Sequence, residues 1–117
     1  MINIKEINTK EELTSFLDYN KDDLHVVKFG ADWCGPCKLI EQRILNLNPE
    51  RIGNTLFAEI SIDDQDGEQA EMASDYGVAN IPVLLFFKGG EMVNRSVGAL
   101  PSDKIYETIE KINGQNN

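Results

Sequence analysis

Basic residues, cysteine and long apolar runs are all scarce in this chain of 117 residues. Eleven Lys and Arg stand against twenty Asp and Glu, a net charge of −9. Such a surface repels phosphates, which argues against a nucleic-acid binder and favours solubility. No window approaches the ~20 apolar residues that cross a bilayer, and the opening MINIKEINTKEEL has no apolar core of signal-peptide length. No membrane contact and a cytoplasmic location are the expectation. A Gly-x-Gly-x-x-Gly motif is also missing, so no bound dinucleotide is expected.

What remains is a globular composition, 41% hydrophobic and 26% charged. The length suits one compact domain that buries roughly two thirds of its unfolded surface. The domain is expected over residues 1–113, with 114–117 as a frayed tail. Ile2, Ile4 and Ile7 open a short strand. Thr9 and Glu12 have capping-box spacing and start a helix through about Tyr19, with Leu13, Phe16 and Leu17 inward. LHVVKFGA and TLFAEISID read as central strands, and DQDGEQ as the acidic loop after the second. Between them a helix carries Cys37, Ile40, Ile44 and Leu47 at helical spacing and stops near Pro49. A short helix, about Gln69 to Tyr76, halts at Gly77. PVLLFFK and EMVNRSVG then flank Gly89-Gly90 as a hairpin, and Ile105, Ile109 and Ile112 mark a last helix. The order β-α-β-α-β-α-β-β-α predicts an α/β fold: a mixed central sheet with parallel crossovers, an antiparallel hairpin edge and helices on both faces.

The only two cysteines, Cys34 and Cys37, enclose Gly35 and Pro36. A structural disulfide closing so small a loop constrains the unfolded chain little, about 2 kcal/mol, and a reducing cytosol would not preserve it. A zinc site needs four ligands, and beyond this pair only His25 and scattered acids remain, so a metal would have to be shared between two chains. His25, alone in a strand, reads as a packed or edge residue. Redox chemistry explains more of the pattern. Cysteines one helical turn apart can reach disulfide geometry. A helix N-terminus at Cys34 would stabilise its thiolate, Pro36 suits the first turn, and the preceding strand delivers an exposed pair to the sheet's C-terminal edge.

WCGPCK, Trp33 to Lys38, resembles the active-site motif of the thioredoxin family, and the C-x-x-C spacing beside a β-α-β pattern is itself a thioredoxin-like signal. The resemblance continues through SIDDQ, YGVANIPVLLFFKGGE and VGAL and covers most of Leu24 to Ile112. It implies the thioredoxin fold and reduction of protein disulfides. Cys34 would be the nucleophile that forms a mixed disulfide, and Cys37 the resolving thiol that releases the reduced substrate. Pro82 matches the family's cis-proline facing the cysteines. Trp33, Gly35, Pro36, Ile81, Pro82, Val97 and Gly98 match the apolar surface that docks partner polypeptides, while Val83 and Phe86 read as core. The resemblance further implies a monomer without bound cofactor or metal, recharged by a flavin-dependent reductase that uses NADPH.

Four positions depart from the family's pattern. Lys28 stands where thioredoxins usually carry a buried aspartate, and Glu59 where they usually carry a lysine. Both changes reverse charge at expected neighbours, which predicts a swapped ion pair beneath the cysteines, since an unpaired ammonium inside a sheet is costly. The other reading has Lys28 snorkelling to the surface and Glu59 as an edge residue. The pair would keep a proton-handling role with inverted polarity: Lys28 favours the Cys37 thiolate, or Glu59 or a neutral Lys28 accepts its proton. Gly30 replaces a second tryptophan, which predicts a less packed flank. Gln42 replaces a helix-kinking proline, which predicts a straighter helix. Gly-Pro between the cysteines resembles the reducing members of the superfamily. The reading from another class is a binding subunit that uses the same apolar surface to support a partner protein.

Overall fold

The computed structural model describes residues 2–63 and 67–114. Three parallel strands form its heart: β1 (Ile4–Glu6), β2 (His25–Gly30) and β3 (Leu56–Ser61). β4 (Val83–Lys88) runs antiparallel to β2, and β5 (Glu91–Val97) antiparallel to β4, giving the sheet order β1-β3-β2-β4-β5. Antiparallel pairing therefore enters at β4, inside the sheet, and not only at the hairpin. The intervening helix α4 (Glu68–Asp75) does not carry the chain back across the sheet: β3 finishes with Ser61 beside Gly30, and β4 starts at that same end, with Phe29 opposite Val83. The sequence expectation of parallel crossovers throughout is corrected accordingly.

The remaining helices are α1 (Lys10–Asp18), α2 (Gly35–Leu45), α3 (Pro49–Ile52) and α5 (Ser102–Gly114). Thr9 and Glu12 close the expected capping box on α1. Pro49 does not stop α2, which already ends at Leu45. It opens α3, where its missing N–H costs nothing and Asn48 caps by accepting the Glu50 N–H at 2.9 Å. α5 runs one residue past the expected domain boundary, through Gly114. Residues 115–117 of the expected tail, and Asp64, Gln65 and Asp66 of the acidic loop, lie outside the described residues.

Strand alternation sorts the core onto two faces. Val27, Phe29, Ala58, Ile60, Leu85 and Phe87 pack with α1 and α4, whereas Val26, Phe57, Leu84 and Phe86 pack with α2 and α5. Lys28 and Gly30 share the parity of Val26 and so face α2, the helix that begins with the cysteine motif. Opposite the Phe86/Phe87 step of β4, the edge strand β5 carries one extra residue, Val93, and the register shifts, a device that blunts edge-to-edge pairing. Among the described residues, no helix is long and apolar enough to cross a membrane.

Candidate active site

β2 ends at Gly30, and four residues later Cys34 caps the N-terminus of α2. Pro36 occupies the first turn, and the Cys37 N–H donates toward Cys34 Sγ at 3.2 Å. The two cysteines are disulfide-bonded with their Cα atoms 5.3 Å apart, so the structure shows the oxidised state. In the reduced state the same N–H and the helix dipole would face the Cys34 sulfur and favour its thiolate. The pair is more covered than the sequence suggests, Cys34 at 7% and Cys37 at 1% exposure. Of the two, only Cys34 offers any surface to a partner.

Around the sulfurs the chain assembles the apolar rim. Trp33 is 72% exposed and Val97 60%, with Gly35 and Pro36 also exposed. Ile81 packs against Ala31, Cys34 and Cys37. Pro82 is buried and follows a cis Ile81–Pro82 bond. Gly98, at φ 96° where only glycine sits comfortably, donates its N–H to the Pro82 carbonyl at 2.8 Å. Three separate loops thus meet at one edge of the sheet.

Beneath them lies the charge-swapped pair. Lys28 and Glu59 are register partners on β2 and β3, and Lys28 Nζ stands 3.1 Å from Glu59 Oε1. The sequence reasoning missed the second partner, Glu41, whose Oε1 accepts from Lys28 Nζ at 3.2 Å. Its signal was its place four residues after Cys37, hence on the same helix face. The Lys28 side chain is 6% exposed, while those of Glu59 and Glu41 keep 26% and 38%. One cation between two carboxylates leaves a negative charge in surplus. A cavity of about 230 Å³ joins Lys28, Glu41 and Glu59 to Cys37 and is large enough for several waters.

Gly30 reverses the expectation of a loose flank. A Cβ built there would lie 3.2 Å from both Cβ and Sγ of Cys37 and 3.7 Å from Lys28 Cε. The glycine lets the Cys37 side chain approach the strand closely, with the Lys28 stem bordering the same space. Gln42 lies within α2, which runs without interruption from Gly35 to Leu45.

Asp63 was also missed. Its carboxylate accepts the Asp32 N–H at 3.1 Å and the Ser61 hydroxyl, anchoring the loop that precedes Trp33. The Ser61 hydrogen bond first, and the Asp32 N–H with it, hold the Asp63 carboxyl below the usual aspartate range. A lowered carboxyl contributes fully above its ordinary range and loses that contribution as pH falls through the lowered value. The Asp32 amide resonance is therefore expected to shift in a step below the usual aspartate range, as NMR would show. An Asp63→Asn variant should lack that step.

His25 is buried, with Nδ1 2.9 Å from the Asp23 carbonyl and Nε2 2.7 Å from that of Tyr19. Both ring nitrogens are engaged by backbone, and among the described residues no group of three or more His, Cys, Asp or Glu could hold a metal.

The comparisons with known proteins agree with this geometry. The family model described as thioredoxin matches residues 4–111. A thioredoxin from Chlorobaculum thiosulfatiphilum is 36% identical over 106 residues, covering 91% of this chain and 93% of its own. The human thioredoxin is 36% identical over 109 residues, covering 93% and 98%. Among solved structures, Fasciola hepatica thioredoxin superposes with a TM-score of 0.80 at 33% identity, covering 92% of this chain and 98% of that one. A mutant thioredoxin from Halobacterium salinarum gives 0.84 at 29%, covering 98% and 95%. Fold, cysteine pair and relatives converge, and the chain belongs to the thioredoxin family: a thiol–disulfide oxidoreductase that reduces protein disulfides through its redox-active cysteine pair.

Proposed function

We propose that Cys34 attacks the substrate disulfide and Cys37 resolves the mixed disulfide. The observation that carries this division is the placement of Cys34 at the N-cap of α2, the less covered of the two sulfurs, with the Cys37 N–H aimed at it. Cys34 thiolate displaces one substrate sulfur and joins the other. Cys37 then loses its proton, attacks Cys34 Sγ, and the second substrate sulfur leaves as a thiolate that takes up a proton. Trp33, Gly35, Pro36, Ile81, Pro82, Val97 and Gly98 form the docking surface. The redox reading is favoured over a binding subunit, because the cysteines stand at disulfide distance.

Lys28, Glu59 and Glu41 handle the Cys37 proton. A surplus carboxylate accepts it across the shared cavity, and the ammonium holds both acids in place. Lys28→Met is expected to shift the pH dependence of mixed-disulfide resolution, followed by stopped-flow release of a chromophoric thiol from Cys34. An unchanged profile refutes the role.

The protein works as a monomer in the cytoplasm, where thiols are kept reduced. The chain through Gly114, where α5 ends, acts as one domain, and a flavin-dependent, NADPH-using reductase returns the disulfide to the dithiol. NADPH consumption coupled to disulfide reduction, with candidate flavoprotein reductases and Cys34→Ser as control, tests the assignment. Turnover that survives Cys34→Ser would overturn it.

A further inference from the structure

We propose that Arg43 is a positioning residue that selects protein disulfides over small ones by holding the Gly98 loop in its docking conformation. This rests on the docking surface proposed above. Arg43 stands in the last turn of α2, partly buried, and takes no part in the chemistry at the sulfurs. Its Nη1 donates to the carbonyl oxygens of Ala99 at 2.7 Å and Leu100 at 3.1 Å. Those carbonyls follow directly on Gly98, whose N–H donates to Pro82, and the adjacent Ile81 packs on the cysteines. Contacts therefore run from the helix that carries Cys37, through Arg43, into the Gly98 loop, and on to the Ile81–Pro82 loop facing the same sulfurs.

The physical argument concerns order before binding. A residue at positive φ followed by carbonyls without strand partners makes a loop that would otherwise sample several conformations. A charged donor bonded to two carbonyls restrains it more strongly than a neutral one would. A polypeptide substrate lying across Val97 and Gly98 then meets a surface already shaped, and binding does not bear the ordering cost. A small disulfide that reaches only Cys34 gains nothing from this. Both bonds leave the one nitrogen Nη1, so a lysine ammonium, shorter and more strongly hydrated, can restore them only in part.

The experiment compares Arg43→Gln, Arg43→Lys and Val97→Asp with the parent, each on a protein disulfide and on a small aromatic disulfide, with melting midpoints alongside. Arg43→Gln is expected to raise KM for the protein substrate roughly 10-fold, from loss of a charged hydrogen bond. Its kcat and its rate on the small disulfide stay at parent values, and Arg43→Lys recovers part of the loss. An unchanged KM in Arg43→Gln overturns the proposal. So does an equal loss on both substrates that follows a lowered melting midpoint, since that marks general stabilisation. Val97→Asp separates the two layers: if it raises KM while Arg43→Gln does not, only the Arg43 role falls. If Val97→Asp leaves KM unaltered, the docking surface fails and the Arg43 role fails with it.

Discussion

Removing both carboxylates around Lys28, as Glu41→Ala with Glu59→Leu, is expected to destabilise the fold by about 3 kcal/mol, the lower end of the cost of stranding a buried charge. Lys28 is 5% exposed, and its ammonium has two acidic partners at 3.1 and 3.2 Å. Either single change leaves it one partner, so each alone should cost well under half of the double. That non-additivity is the signature of a shared charge. The lower end applies because the adjoining cavity gives the amine some access to water. Adding Lys28→Met to the double variant removes the stranded charge and should restore most of the lost stability. Urea unfolding of the parent, single, double and triple forms measures the cycle. A double variant no weaker than its single parents would show that Lys28 does not depend on these acids.

The largest effect on activity is expected at the cysteines. Cys34→Ser should reduce turnover to the uncatalysed level, because serine supplies no anion of comparable nucleophilicity at neutral pH. Cys37→Ser should fail differently. It still attacks once, then stalls as a mixed disulfide that mass spectrometry detects and dithiothreitol reverses. The asymmetry follows from the cap geometry: the N–H of Cys37 points at the Cys34 sulfur and not the reverse, and Cys37 is 1% exposed. A Cys34→Ser form that traps partners as well as Cys37→Ser does would exchange the two roles.

Much of this was legible beforehand, for reasons that differ from residue to residue. The capping box at Thr9 and Glu12, the isoleucine stripe of the last helix and the continuous apolar runs of the central strands are local patterns, and local patterns survive folding. The Lys28–Glu59 pairing was legible because two reversed charges fell at positions expected to be neighbours. The end of α2 near Pro49 was legible, but the helix that Pro49 opens was not, because its fixed φ and missing N–H serve equally to end one helix or begin another. Gly30 misled because an absent side chain says nothing about which atom fills the space, and here that atom is the resolving sulfur.

The amino-acid sequence by itself determined which stripes of the helices would face the core, which chemistry two sulfurs three positions apart could perform, and that an amine in a core strand required a counter-charge. Only the tertiary structure decided that this counter-charge is shared by two acids, that Arg43 reaches the Gly98 loop, and that β4 reverses direction inside the sheet. Periodicity and capping act over a few residues of one chain segment. Contacts such as Lys28 with Glu41, or Arg43 with Ala99, depend on which face of a helix is laid over which strand or loop, and that is set only when the whole core packs.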